Sequence, residues 1–207
     1  MTLRELALRE IDSSRRLGLA GSGSFPDKVM VRPNPGKCHI RRSRESDIDA
    51  LERMYRAHEG NTIPPGYFPD FQATLRDAHT HYFVATVGEQ VIGGGGLSSY
   101  EPGDSASLTF GIVDPDHCGK GYGTAILLAR LLFVNPGTRG CRIFLQATQW
   151  SAAFFARLGF KWHASEQDDA GHHFLSGSHV VLPGDEKVFA RLLAEGGVTL
   201  GFEPDRG

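Results

Sequence analysis

The segment Val113-Asp114-Pro115-Asp116-His117-Cys118-Gly119-Lys120-Gly121-Tyr122-Gly123-Thr124 constrains this chain more than any other. It sets three alternating glycines between an expected strand, about Ser107 to Val113, and a strongly apolar helix. Glycine tolerates positive φ and lets a ligand come close to the backbone. Successive N–H groups in such a loop, together with the free N–H groups of a helix start, make a site for phosphate oxygens. The helix carries Ile126, Leu127, Leu128, Leu131, Leu132 and Val134, so it should be buried over most of its surface. Two other phosphate loops are excluded by spacing. A dinucleotide fingerprint starting at Gly119 needs its third glycine where Thr124 stands, and a P-loop needs Ser or Thr where Lys120 is followed by Gly121.

The surrounding pattern is that of an α/β layered domain. A short strand is expected at Cys38 to Arg41, then a capping box of Ser46 and Asp49 opening a helix to about Glu59. Asn61 to Pro69, with Pro64, Pro65 and Gly66, reads as a loop before a second short helix. Tyr82 to Val87 and Gln90 to Ser99 form a hairpin across Gly88-Glu89, and the next strand carries Leu108, Phe110 and Ile112 on one face. Gly93 to Gly96 lie within the strand pattern and mark close approach of a neighbour or a bulge. Asn135-Pro136-Gly137 ends the apolar helix. Arg142 to Ala147 is a strand covered on both faces, and Ser151 to Leu158 is a helix capped by Gly159. Strands around Trp162 and His179 to Leu182 precede a final helix, about Asp185 to Glu195. Ahead of all this, residues 1–37 read as an extension: a weak helix with Leu3, Leu6, Ala7 and Ile11, then a Gly/Ser/Pro linker. It would be a flexible arm or a dock for a partner subunit, which leaves a homodimer open. Residues 38–207 form the main domain.

Composition narrows the function. With 207 residues, 40% hydrophobic and 22% charged, the chain can build a core without staples. A net charge of -2 supplies no field for nucleic acid, so no nucleic-acid partner is expected. Cys38, Cys118 and Cys141 fit neither a disulfide framework nor a metal site, which suggests a reducing, cytoplasmic setting. The longest apolar run, Ala125 to Val134, is interrupted by Arg130, so no membrane span is expected. Glu5, Glu10 and Asp12 speak against a signal peptide.

The glycine loop resembles motif A of the GNAT acetyltransferases, Q/R-x-x-G-x-G/A, with Gly121 and Gly123 as the two small residues. Cys118 stands where that family usually has Arg or Gln. Ser151-Ala-Ala-Phe-Phe-Ala-Arg-Leu-Gly159-Phe160 resembles the family's A-x-x-F-Y-x-K-x-G-F element. The ordered pair covers roughly residues 38 to 183. The resemblance implies a mixed, mostly antiparallel central sheet with two splayed strands, flanked by helices. It implies acetyl-CoA as co-substrate, with the pyrophosphate on Cys118, Gly119, Lys120, Gly121, Tyr122, Gly123 and Thr124. The pantetheine arm would lie along Ile112 and Val113, with Phe154 beside it. The activity implied is N-acetyl transfer to a primary amine of a small molecule; a protein N-terminus or lysine is a third, weaker reading.

Direct attack requires a neutral amine and somewhere for its proton to go. Where relatives carry an acidic tyrosine, this chain has Phe155, so the thiolate leaves unassisted or takes a proton from Ser151, Tyr122 or water. Where relatives often carry a basic carboxylate, the position is about Ser107, which leaves Glu101 and Glu59 as candidates. His81, His163, His172 and His173 are weighed as bases or ligands against solvated side chains, and no spacing makes a metal site. Phe155 and Ser107 together support a rival reading, a non-catalytic acyl-CoA-binding module.

Overall fold

The computed structural model describes residues 36–205. The helix expected near the start, and all of the 1–37 extension but its last two residues, lie outside the described residues. From Cys38 onward the chain runs β1 (Cys38–Arg42), α1 (Ile48–His58), α2 (Phe68–Arg76), β2 (His81–Val87), β3 (Gln90–Glu101) and β4 (Ser105–Val113). It continues through α3 (Tyr122–Phe133), β5 (Cys141–Thr148), α4 (Gln149–Arg157), β6 (Lys161–Gln167), β7 (His173–Val181), α5 (Asp185–Glu195) and β8 (Val198–Gly201). All eight strands join one sheet in the order β6-β7-β5-β4-β3-β2-β1-β8. Two pairs are parallel, β4 with β5 and β1 with β8; the rest are antiparallel.

Helices cover both faces of the sheet. Along β2, Phe83 and Ala85 enter the larger core with α3, while Tyr82 and Val84 enter a smaller one with α1 and α2. This is the period-two alternation of a strand buried on both sides. The larger core is organised by α3, where every residue from Ala125 to Leu132 is buried. In the smaller core Tyr55 stacks on Phe71 with centroids 4.7 Å apart.

Four expectations change. The start of α1 is held by Asp47, not by a Ser46–Asp49 box: the Arg44 N–H donates to Asp47 Oδ2 at 2.7 Å, and Arg41 clasps both carboxylate oxygens. Pro69 belongs to α2, at a first-turn position where its missing N–H costs nothing. The strand β8 follows α5 and pairs in parallel with β1. And Leu108, Phe110 and Ile112 do not share a face: Leu108 packs in the larger core, Phe110 and Ile112 in the smaller. The cause is a bulge. Gly96 pairs with Thr109 and Gly94 with Ile112, so Gly95 opposes both Phe110 and Gly111. Phe110 takes φ 38° there.

The glycine run of β3 is set by packing. A Cβ on Gly94 would lie 2.8 Å from the Tyr82 ring and 2.9 Å from the Phe83 carbonyl; one on Gly95 would lie 2.8 Å from Arg130 Cζ. No helix among the described residues is long and apolar enough to cross a membrane.

Candidate active site

β4 and β5 pair only from Ser105–Arg142 to Leu108–Leu145. Past that point, where the bulge begins, both strands continue unpaired with each other, and a cleft of about 1080 Å³ opens between them. The splay expected between these strands is thus present.

At one end of the cleft lies the glycine loop. Asp114 caps the turn that follows β4, accepting from the Asp116 N–H at 2.9 Å. Gly119 and Gly121 take φ of 75° and 90°. Gly121 is the N-cap of α3, a conformation that glycine supplies without steric cost. The first bond along the helix runs from the Ala125 N–H to the Gly121 carbonyl at 3.0 Å. The N–H groups of Tyr122, Gly123 and Thr124 therefore have no backbone acceptor among the described residues, which is the cradle an anionic phosphate needs. A Cβ on Gly123 would touch Phe154 and Val113 at 3.8 Å, so the loop, α4 and the end of β4 meet there.

The side chains singled out in the sequence fall into two groups. Ile112, Val113, Cys118, Gly119, Gly121, Gly123, Thr124, Ser151 and Phe154 all line the cleft. Lys120 is exposed outside it. Tyr122 is buried in the larger core, its ring edge-on to His117 at 5.6 Å, and does not reach the cleft wall. The Cys118 thiol sits 3.6 Å from the Val113 carbonyl, and partial burial with nearby Asp114 pushes its pKa up. Ser151 Oγ lies 3.3 Å from the Thr148 carbonyl, and half-buried Phe155 lines the wall beside Phe154. Ser107 also lines the cleft, with a buried hydroxyl that has no partner among the described residues.

The base candidates sit elsewhere. Glu59 is paired with Arg56, and exposed Glu101 lies at the far end of β3; neither lines the cleft. His81 packs on Phe133, and burial, with Arg42 nearby, lowers its pKa. His163 bonds Ser178 at 2.7 Å. His172 holds Asp168 at 2.8 Å, and His173 is exposed at the start of β7. Among the described residues no group of His, Cys, Asp or Glu could hold a metal ion.

Three residues carry weight that the sequence did not signal. His58, at the end of α1, places Nε2 2.7 Å from the Val113 carbonyl; a carbonyl only accepts, so Nε2 carries the proton, and Nδ1 accepts from Thr62 at 2.9 Å. On the α2 side the cleft is lined by the carboxylates of Asp70 and Asp77, the latter held by Thr80 at 3.0 Å. Burial raises the Asp70 pKa. The loop after α1 crosses the mouth: Thr148 Oγ1 donates to the Thr62 carbonyl at 3.2 Å, and the Tyr67 hydroxyl donates to Asp168.

Residues 78–162 match a family model described as an acetyltransferase (GNAT) domain, a span that holds β2 to α4 and the glycine loop. A search of curated proteins finds no significant match. Among solved structures, a ribosomal-protein alanine N-acetyltransferase from Escherichia coli is 17% identical, with a TM-score of 0.57 over 70% of this chain and 94% of that one. Ard1 from Thermoplasma volcanium is 18% identical, with a TM-score of 0.59 over 70% and 98%. An aminoglycoside N-acetyltransferase in complex with coenzyme A is 12% identical, with a TM-score of 0.56 over 70% and 97%. At such identities the structures speak for the fold, and the family model speaks for the sequence. Residues 78–162 thus match the GNAT acetyltransferase domain model, and the fold is the one that the N-acetyltransferases above share.

Proposed function

We propose that the domain transfers an acetyl group from acetyl-CoA to the primary amine of a small molecule, by direct attack with both substrates bound. The observation that carries this is a single cleft with unlike ends. Free helix N–H groups mark one, and the carboxylates of Asp70 and Asp77 line the α2 side. An anionic cofactor suits the first and a cationic amine the second.

The residues fit CoA. The N–H groups of Tyr122 to Thr124 would hold pyrophosphate oxygens, and the edge of β4 that β5 leaves open, ending at Ile112 and Val113, offers backbone partners to the pantetheine arm. Acetyl-CoA supplies the activated acyl carbon and a thiolate leaving group. The protein's part is to hold the amine neutral and aimed. Asp70, half-buried and with its pKa raised, is placed to accept the amine's proton directly or through water. Backbone N–H groups of β4 past Leu108, no longer bonded to β5, can stabilise negative charge on the acyl oxygen. The N–C bond forms, the C–S bond breaks, and the amine's proton passes to the base. Phe155 has no proton to give, so the thiolate leaves unassisted or is protonated by Ser151 or water.

The neighbouring folds serve acceptors as different as a ribosomal-protein alanine and an aminoglycoside. The fold therefore does not choose between them, and the carboxylate wall favours a cationic small molecule. The test is release of free CoA thiol from acetyl-CoA across a panel of amines, with products weighed by mass spectrometry. Amine-dependent release supports transfer. Tight CoA binding without turnover on any amine would establish the non-catalytic module instead.

A further inference from the structure

Arg130 is 3% exposed, yet no carboxylate pairs with it among the described residues. Its Nε donates to the Ile126 carbonyl at 3.3 Å and Nη1 to the Gly96 carbonyl at 3.2 Å. Nη2 has no acceptor among the described residues. Burial draws the guanidinium pKa down to about 10, which leaves it charged near neutrality. A buried cation with only carbonyl dipoles around it is costly, and an anion brought by a ligand relieves that cost.

The place of the charge is specific. The guanidinium lies under the β4 bulge, in space left by glycines: a Cβ on Gly95 would lie 2.8 Å from Cζ, and one on Gly111 would lie 3.4 Å from Nη2. Gly111 is exposed, and both it and Arg130 line the cleft. Arg130 is on α3, the helix whose N-terminus forms the phosphate cradle, roughly 13 Å further along its axis at 1.5 Å per residue. That is the donor's side of the sheet. The opposite, α2 side carries Asp70 and Asp77, which repel an anionic acceptor. The missing anion therefore belongs to the acyl donor. A thioester carbonyl is neutral in the ground state and does not balance a resident charge.

Building on the CoA-site reading above, we propose that Arg130 is a donor-specificity residue, and that besides acetyl-CoA the domain takes acyl-CoA donors whose short acyl chain ends in a carboxylate, such as succinyl or malonyl. The transfer is balanced as before: the thioester C–S bond breaks, an amide N–C bond forms, and the distal carboxylate stays ionised on Arg130 throughout.

The experiment is calorimetric titration of CoA, acetyl-CoA, butyryl-CoA and succinyl-CoA into the full chain, its Arg130→Met and Arg130→Lys variants, with turnover measured in parallel. Butyryl and succinyl groups share a four-carbon length and differ in the terminal carboxylate. The expected result is succinyl-CoA bound at least about tenfold more tightly than butyryl-CoA by the wild type, as a charge-assisted hydrogen bond supplies. Arg130→Met should erase that ratio and leave CoA affinity unchanged, and Arg130→Lys should keep part of it. A wild type indifferent to the carboxylate overturns the proposal even if neither variant folds, and so does a Met variant that keeps the preference. Equal loss of kcat with every donor, acetyl-CoA included, would give Arg130 to the acyl oxygen instead and also overturn it. Failure of CoA itself to bind would overturn the cofactor site, a distinct outcome from CoA binding without succinyl preference.

Discussion

The Nε2–H of His58 donates to the Val113 carbonyl at 2.7 Å, fastening the last turn of α1 to the last residue of β4. The same ring receives the Thr62 hydroxyl, and Thr62 in turn is held from across the cleft by Thr148. One imidazole thus fixes both the backbone expected to meet the pantetheine arm and the loop that bridges the mouth. His58→Ala should raise KM for acetyl-CoA several-fold and cost about 1 kcal/mol of stability, the ordinary worth of such a bond. Steady-state kinetics and a denaturant melt check both. An unchanged KM would mean that Val113 holds its position without the histidine.

CoA binding at the glycine loop should depend on backbone rather than charge. Gly121→Asp forces a side chain into φ 90° and sets negative charge beside the free N–H groups, and Gly123→Asp sets the same charge at the meeting point of the loop with Phe154 and Val113. Either should abolish CoA binding in calorimetry while circular dichroism stays native. Lys120→Ala, on an exposed side chain, should lower affinity by no more than about threefold, as a screened contact does. Wild-type affinity in the Gly123→Asp protein would refute the site.

Turnover across pH should separate the two hydroxyls considered as acids. Tyr122→Phe should leave rate and pH profile unchanged, because that ring is buried against His117 away from the cleft. A hundredfold loss in Ser151→Ala, with CoA affinity intact, would identify Ser151 as the acid; no change would leave the thiolate departing unaided. Phe155→Tyr should be tolerated and raise the rate only if thiolate departure limits it. Phe155→Ala should cost about 1–3 kcal/mol, less than a fully buried ring, since Phe155 keeps partial exposure.

The Tyr67–Asp168–His172 clasp gives a pH signature. Burial works against the charged carboxyl, but hydrogen bonds from Tyr67, from the His172 ring and from its backbone N–H hold Asp168 well below the usual carboxylate range. A depressed folded-state pKa means the stabilisation is full above about pH 4, the unfolded carboxyl's range, and is lost as pH falls further. Melting temperatures between pH 6 and 3 should therefore fall more steeply for the wild type than for Asp168→Asn. Parallel curves would show that the clasp contributes nothing to stability.

What was legible in the sequence was what is locally encoded. The glycine loop, the apolar α3 and the Gly159 stop each carry their signal within a dozen residues. Gly159 indeed takes φ 85°, with the Phe160 N–H returning to the Phe155 carbonyl at 3.2 Å. The glycine run at Gly93 to Gly96 did mark close approach or a bulge, and both are there; what it could not show is that the break falls opposite Phe110, because Leu108, Phe110 and Ile112 keep a regular alternation. Arg130 itself read only as an interruption of an apolar run. Asp47 was hidden behind Ser46, since its partner Arg41 comes from β1. His58 and Asp70 lie on helices whose sequences say nothing of the cleft, and only the packing of those helices against β4 and across its mouth brings them there.

The parallel pairing of β1 with β8 has a consequence for how the chain reaches this state. His39 and Thr199 are bonded at 2.9 Å across a separation of 160 residues. β2 can cover one edge of β1 early, but the other edge must wait for nearly the whole domain to emerge and for α5 to turn the chain back. Contacts so distant in sequence are made late and slow the search. During synthesis, β1 presents an open hydrogen-bonding edge, a template for unwanted pairing with another nascent chain. Deleting Val198 to Gly201 should make that transient exposure permanent and show itself as aggregation on refolding before any loss of affinity for CoA.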